Sequence, residues 1–415
     1  MRPKEALQLL QIRKPEVRRT SRVLARSVTI EDLRREACRR WPRGVQGYVD
    51  GGADDEISLA RNRAAFQDFD LLPAALRDVT TADPSVSILG RQSALPLVLG
   101  PTGYTRMMHS DGEPAVARAA LGAGVPYTLS TMATVRLEEV ATVGGDLWFQ
   151  LYMWRDRGLV KELLGRARDN GYRVLMLTVD TAVTGQRVRD SRNGFTLPPR
   201  LTPSTVLDMA RHPSWCLSLL RGDPIAFANF APEMSQGSQG VMEFAANQFD
   251  PSVTWDDVER LRSQWPGPLL LKGIMSPADA ARAKEVGVDA IALSNHGGRQ
   301  LDQALPPVEA LPAVRDRVGD GLQILIDSGV RHGTDIAIAI AQGADACLVG
   351  RPYLYGLGAA GQAGVTAAIG MFADELRRAM QLLGVTTVDE LRAQGAYLVR
   401  SRRACAHTRS EGRAR

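Results

Sequence analysis

The chain has 415 residues, 44% of them hydrophobic and 23% charged, so it is ordinary globular material with enough of it for one large domain or two small ones. Its net charge of +5 sits on its ends: residues 1–40 hold twelve Lys/Arg against five acids, residues 397–415 hold six Arg against one Glu, and the stretch between is net −7. A nucleic-acid binder places its basic stripe on the folded body; basic ends read instead as solvated arms that can touch an anionic membrane surface.

In chain order, residues 1–26 form a basic arm, and "SVTIEDLRREACRRW" follows as a capped helix leading to "GYVDGGADDE". Eight short apolar runs then read as strands: "LPLVLGPTG" from Leu95, "PYTLSTM" from Pro126, "LWFQLYM" from Leu147, "VLMLTVD" from Val174, "LLLKGI" from Leu269, "AIALSNHGG" from Ala290, "ILIDSG" from Ile324 and "ACLVGRP" from Ala346. They are continuous rather than alternating, as strands covered on both faces must be. Helical segments such as "DGEPAVARAALGAG" and "SPADAARAKEVG", closed by glycine, lie between most of them. Eight βα units predict an α/β fold, a (β/α)8 TIM barrel, with an open doubly wound sheet as the rival. The domain is expected over residues 27–390, with an N-terminal helical extension and a basic tail over 391–415.

Between the fourth and fifth strands, Asp180 to Leu269, lies a long insertion of the kind that forms a lid or a partner-binding loop. Trp215, Phe227 and Phe230 alternate there with Arg200, Arg211 and Arg221, a mixture suited to a membrane interface or to a packed lid.

Cys38, Cys216, Cys347 and Cys405 lie far apart and in no CxxC pair, and the five histidines are scattered, so neither a disulfide framework nor a metal site is expected. The N-terminus lacks the apolar core of a signal peptide, and no run of about 18 apolar residues is present. The expected location is the cytoplasm, with peripheral contact on the inner face of the cell membrane.

A TIM barrel does its chemistry at the C-terminal ends of its strands. Here those ends carry Thr102, Ser130, Thr131, Gln150, Tyr152, Thr178, Asp180, Lys272, Ser294 through Arg299, Asp327 and Arg351. Any one of these serves equally well as a satisfied structural residue, a lone histidine above all. Together they are an acid, a base, a cation and hydrogen-bond donors, the inventory of an active site. "GLGAAG", Gly356 to Gly361, matches the GxGxxG dinucleotide pattern, but "PYLY" separates it from the strand, so it reads as helix and not as an NAD site.

The motifs "GYVDGGADDE", "PTGY", "FQLYM", "LTVDT", "LLLKGI", "SNHGGRQLD", "IDSGVRHGTD" and "GRPYLYGL" resemble, in order and spacing, those of the FMN-dependent 2-hydroxy-acid dehydrogenases and oxidases, over about residues 25 to 390. Within that family the likeness is to bacterial L-lactate dehydrogenases linked to a quinone or cytochrome. The resemblance implies FMN as cofactor, L-lactate as the 2-hydroxy acid and pyruvate as product, no nucleic-acid partner, and a homo-oligomer, a tetramer. A dioxygen-using oxidase that makes peroxide, and a flavin-binding barrel without activity, are the alternatives.

Carried over residue by residue, the resemblance makes His296 the base, Asp180 its orienting partner, and Arg299 with Arg187 the grip on the substrate carboxylate. Tyr48 and Tyr152 donate hydrogen bonds to substrate. Lys272 stands beside the flavin, with Thr102, Ser130, Gln150 and Thr178 as polar contacts to its ring. The phosphate falls to the backbone amides of Ser328, Gly329, Gly350 and Arg351 and to the Arg331 guanidinium. Pro101, Gly103, Ser294, Asp327 and Val330 complete the cofactor set. The α-hydrogen leaves either as hydride or as a proton to His296. Three departures bear on specificity: Met132 stands where glycolate oxidases carry tryptophan, Gly103 where many oxidases have alanine, and Ser328 at a frequent glycine.

Overall fold

In a computed structural model that describes residues 19–193, 202–221, 225–230 and 247–402, the eight expected runs form eight parallel strands. These are β1 (Leu97–Leu99), β2 (Tyr127–Ser130), β3 (Leu147–Tyr152), β4 (Val174–Thr178), β5 (Leu269–Ile274), β6 (Ala290–Leu293), β7 (Gln323–Ile326) and β8 (Ala346–Val349). Each pairs with the next, and β8 returns to β1 with Cys347 opposite Leu97, closing the barrel. The rival open sheet is thereby excluded.

The continuous apolar character of the runs follows from two separate cores. Val98, Trp148, Val174, Met176, Leu270, Ala290, Ala292, Leu325, Ala346 and Leu348 pack together inside the barrel, where the bulk of Trp148 and Met176 is accommodated by three alanines. Their neighbours along the strands, including Leu99, Phe149, Leu177, Leu271, Leu293 and Ile326, pack outward against the helices. A hairpin of Val86–Ile88 and Arg91–Ser93 inserts Ile88 into the inner core, and Arg173 bonds the Leu89 carbonyl and ion-pairs with Asp146 at 2.8 Å. That seals the N-terminal end and leaves the opposite end for chemistry.

The capped helix is present over Ile30–Arg40, with the Thr29 side chain accepting from the Asp32 amide and Asp32 answering in return. It packs on the helical run Arg351–Leu383, which breaks at Ala360 and Gly361. The GxGxxG stretch lies in that run. A Cβ on Gly358 would sit 2.0 Å from the Trp41 ring, so this glycine serves helix packing, not a phosphate. Part of the same run is long and apolar enough to cross a membrane, yet most of that part is buried, as in a core helix.

The ends depart from the expected bounds. Helix Arg19–Arg26 buries Val23, and residues 1–18 lie outside the described residues. The boundary expected at 390 falls inside helix Val388–Ala393, and strand Val399–Ser401 pairs with Phe69–Leu71, so the chain is part of the body as far as Ser401. Residues 403–415 are outside the description.

In the insertion the structure decides between the two readings of the aromatics. Trp215, Phe227 and Phe230 are buried: the Trp215 indole donates to the Met107 carbonyl at 2.8 Å, Phe227 packs on Tyr104 and Phe230 on Trp154. These aromatics anchor the insertion to the barrel and are unavailable to a membrane. The apolar side chains that helices Pro203–Ala210 and Pro213–Arg221 expose are Val206, Leu207, Leu217 and Leu220. Arg200 and the Arg221 side chain lie outside the described residues.

Candidate active site

One cavity at the C-terminal end of the barrel gathers the expected residues. Of those given a role above, all line it except Asp180, Gln150 and Ser294, which bond residues that do; Thr131, Asn295 and Gly298, at the strand ends, do not line it. His296 follows β6 in a left-handed conformation, φ +59, and its amide donates to Ser294 Oγ at 3.0 Å. That turn aims the ring back at β4, where Nδ1 lies 2.9 Å from Asp180 Oδ1. Burial opposes ionisation of Asp180, but the charges of His296 and Lys272 and the hydrogen bond from His296 outweigh it and hold the carboxyl below its usual range. Asp180 Oδ2 is buried without a hydrogen-bond partner, so the carboxylate's charge is left to the imidazole and to Lys272.

Beside this pair is a corner rich in cations. Arg299 donates to the carbonyls of Tyr48 (2.6 Å) and Gly51 (3.0 Å) and stacks over the Tyr48 ring at 4.9 Å. Burial, with Arg187's charge next, pushes Arg299 down to about 9. A guanidinium stays charged in proteins, so this depression marks a buried cation short of a counter-anion. Among the described residues Arg187 ion-pairs with Asp190, at 3.8 Å. Burial raises the Tyr48 and Tyr152 phenols above their usual range, so both remain donors at neutral pH. A carboxylate bearing a neighbouring hydroxyl fits this corner.

Lys272, at the end of β5, is buried; its ammonium donates to Ser294 Oγ at 2.9 Å and lies 3.2 Å from Asp327 Oδ2. Burial would lower it, but the charges of Asp327 and Asp180 more than compensate and raise it, so a fixed positive charge faces the cavity. Ser130 Oγ donates to Gln150 Oε1 at 3.1 Å, and the Gln150 amide donates to Thr178 Oγ1 at 3.0 Å, forming a polar rail behind the cavity wall.

Past β7, Ser328 and Gly329 both have positive φ, +67 and +107, which turns successive amides into a concave anion nest. The side chain of Ser328 is more than tolerated in this strained conformation: its hydroxyl donates to Asp327 Oδ1 at 2.6 Å and accepts from the Gly297 amide at 2.9 Å. Arg331 is depressed by burial, with Arg351 and Arg63 adding to that and Tyr355 and Asp335 offsetting part of it. A phosphate dianion would relieve that deficit. The Arg351 guanidinium is held by the carbonyls of Val49, Gly297 and Gly51, one bond from each nitrogen, which fixes it at the cavity wall. A buried cation flanked by a polar rail at one end and an anion nest at the other fits the ring and phosphate of FMN.

Several participants had no role assigned from the sequence. Asn295 exchanges two side-chain hydrogen bonds with Asn62, at 2.8 and 2.7 Å, and Asp302 accepts from the amides of Ile57 and Ser58 at the start of helix Ile57–Ala64. Gln300 ties down the loop after β4 through the carbonyls of Asp180 and Val183 and the Gly185 amide. Thr181, Thr184 and Phe249 also line the cavity. Adjacency to Arg299 was a usable signal for Gln300; Phe249, far off in the insertion, had none.

Comparison with known proteins agrees with this geometry. The family model described as FMN-dependent dehydrogenase matches residues 37–398. A protein of Mycobacterium tuberculosis named putative L-lactate dehydrogenase is 47% identical over 94% of both chains, and one of Nostoc sp. named L-lactate oxidase is 44% identical over 83% of this chain and 91% of its own. The crystal structure of the monotopic membrane protein (S)-mandelate dehydrogenase superposes with a TM-score of 0.86 at 37% identity, over 91% of this chain and all of the other. The chain belongs to the FMN-dependent dehydrogenase family, and FMN is its cofactor.

Proposed function

We propose that the protein oxidises an L-2-hydroxy acid, foremost L-lactate, to the 2-oxo acid and passes the electrons to a quinone or cytochrome. The observation that carries this is the hydrogen-bonded Asp180–His296 pair opening onto the same cavity as Arg299, Arg187, Tyr48 and Tyr152. When bound, FMN takes up the two electrons that leave the substrate carbon.

The chain's own residues do the rest. Arg299 and Arg187 hold the carboxylate, and the under-neutralised Arg299 gains the anion it lacks. Tyr48 and Tyr152 donate to substrate oxygens. Asp180 engages Nδ1 of His296, which leaves Nε2 to take the proton, and the carboxylate stabilises the imidazolium that results. Lys272 keeps a positive charge beside the flavin as negative charge arrives.

Lactate is favoured over a bulkier acid by Met132 and Phe249 in the cavity lining, and by the relatives named for lactate. The (S)-mandelate dehydrogenase likeness keeps an aryl acid as the second reading. The test is anaerobic mixing of the yellow protein with L-lactate, D-lactate or (S)-mandelate while the flavin's visible absorbance is followed. Bleaching by L-lactate ahead of the other two is expected; faster bleaching by (S)-mandelate makes the aryl reading correct, and no bleaching by any leaves a binding protein.

A further inference from the structure

Three successive residues after β6, His296, Gly297 and Gly298, have positive φ, +59, +68 and +73, and each of their amides is taken by a side-chain oxygen. The His296 amide donates to Ser294 Oγ at 3.0 Å and the Gly298 amide to Asn295 Oδ1 at 3.0 Å, both within the same loop. The Gly297 amide donates instead to Ser328 Oγ, 2.9 Å away in the loop after β7. Ser328 in turn donates to Asp327 Oδ1 at 2.6 Å, the length of a hydrogen bond to an ionised carboxylate, while Asp327 Oδ2 lies 3.2 Å from the Lys272 ammonium. Lys272 donates to Ser294 Oγ at 2.9 Å, the same atom that receives the His296 amide. These bonds close a ring. Its two hydroxyls, Ser294 and Ser328, fasten the turn that carries His296 to the two members of the Lys272–Asp327 ion pair.

Ser328 holds φ +67 to take part, a conformation that glycine adopts without cost and a residue with a Cβ does not. The two bonds of its hydroxyl offset that cost. We infer that Ser328 is a positioning residue that sets how much of the Lys272 charge reaches the flavin: its bond to Asp327 weakens the carboxylate's pull on the ammonium, and its bond from Gly297 keeps the His296 turn in register with that pair. Electrons arriving on the flavin bring negative charge, and a lysine less neutralised by its own carboxylate stabilises that charge more. The inference rests on FMN as the cofactor and is independent of which acid is oxidised.

The experiment compares the FMN-loaded parent with Ser328→Gly and Ser328→Ala. Each is equilibrated without oxygen against a redox dye of known potential, and the two-electron midpoint potential of the bound flavin is read from the visible spectrum. No substrate is needed, so a failure of the 2-hydroxy-acid reading does not touch the result. Glycine removes both the hydroxyl and the backbone strain, whereas alanine removes the hydroxyl and keeps the strain, so a shift common to the two belongs to the hydroxyl. The expected result is a lower potential in both variants, by about 30 mV, which is about a tenfold shift of a two-electron equilibrium toward the oxidised flavin. A role confined to shaping the phosphate nest weakens oxidised and reduced FMN alike and leaves the potential at the parent value; that result overturns the inference. So does a potential that rises, or one that falls in Ser328→Ala alone, which would assign the effect to strain.

Discussion

His296 holds a backbone conformation, φ +59, that costs a residue with a Cβ about 1–2 kcal/mol, and the bond from its amide to Ser294 together with the bond from its ring to Asp180 keeps it there. The strain is what turns the ring away from its own strand and toward β4. Replacing His296 by Gln keeps a polar side chain of similar reach but removes the base. Flavin reduction by substrate in a rapid-mixing experiment should slow by about 10²–10⁴-fold or more while FMN stays bound. Reduction at the parent rate would remove His296 from the chemistry. Arg299→Lys keeps the charge but loses the planar fork that reaches the Tyr48 and Gly51 carbonyls and stacks on Tyr48. Both a higher KM and a reduction rate lower by on the order of 10²-fold are expected, since the substrate loses its orientation and not only its attraction. Asp180 sets the acid limit of the pair. Its carboxyl is held below the unfolded value of 3.8, so the stability it contributes is present at neutral pH and disappears only as pH falls through the lowered folded value. Asp180→Asn should accordingly lose stability at pH 7 relative to the parent, with the difference narrowing in strongly acidic buffer when unfolding is followed by urea titration.

At the scale of elements, the barrel was legible because strands buried on both faces have a signature of their own: short, continuous and apolar, each run ending in polar residues. The site was legible for the same reason, since a strand such as "AIAL" followed by "SNHGGRQLD" puts chemistry where a core strand has none to offer. The residues left unread serve partners distant in the chain. Asn295 exists for Asn62, Asp302 for the start of helix Ile57–Ala64, and neither partner is visible from the motif alone. The insertion stayed open between a membrane interface and a packed lid because buried and membrane-facing aromatics have the same composition, and only packing on Met107, Tyr104 and Trp154 tells them apart. The Asn pair makes the N-terminal helices part of the site. Asn62→Ala removes both bonds of the pair and leaves Asn295 only the Leu305 carbonyl and the Gly298 amide, which should cost about 1 kcal/mol, seen as a lower urea midpoint. FMN affinity should fall as well, because Gly329 of the phosphate nest lies against the Asn62 backbone, so close that a Cβ would come within 2.1 Å of its carbonyl. Unchanged stability and unchanged FMN affinity would show that this layer only covers the barrel.

For the whole molecule the open matter is where the electrons go, and the shape of the surface bears on it. The insertion is pinned to the barrel by its buried aromatics, and its helices Pro203–Ala210 and Pro213–Arg221 turn aliphatic residues outward, with Leu220 at 80% exposure and Val206, Leu207 and Leu217 each at half or more. An exposed aliphatic face on short helices is costly in water and is stabilised when it lies on an apolar phase. Basic residues in both ends of the chain add attraction to anionic lipid. If an acceptor dissolved in the membrane is the natural one, turnover with L-lactate should be much faster with a quinone analogue or artificial dye than with dioxygen. Part of the protein should also sediment with vesicles that contain anionic lipid. Replacing Leu217 and Leu220 by Ser should release it from the vesicles while leaving dye reduction in solution intact, because neither residue lines the cavity. Rapid peroxide formation in air, with no gain from added acceptor and no sedimentation with vesicles, would instead make the protein an oxidase and leave the aliphatic face to serve a protein partner.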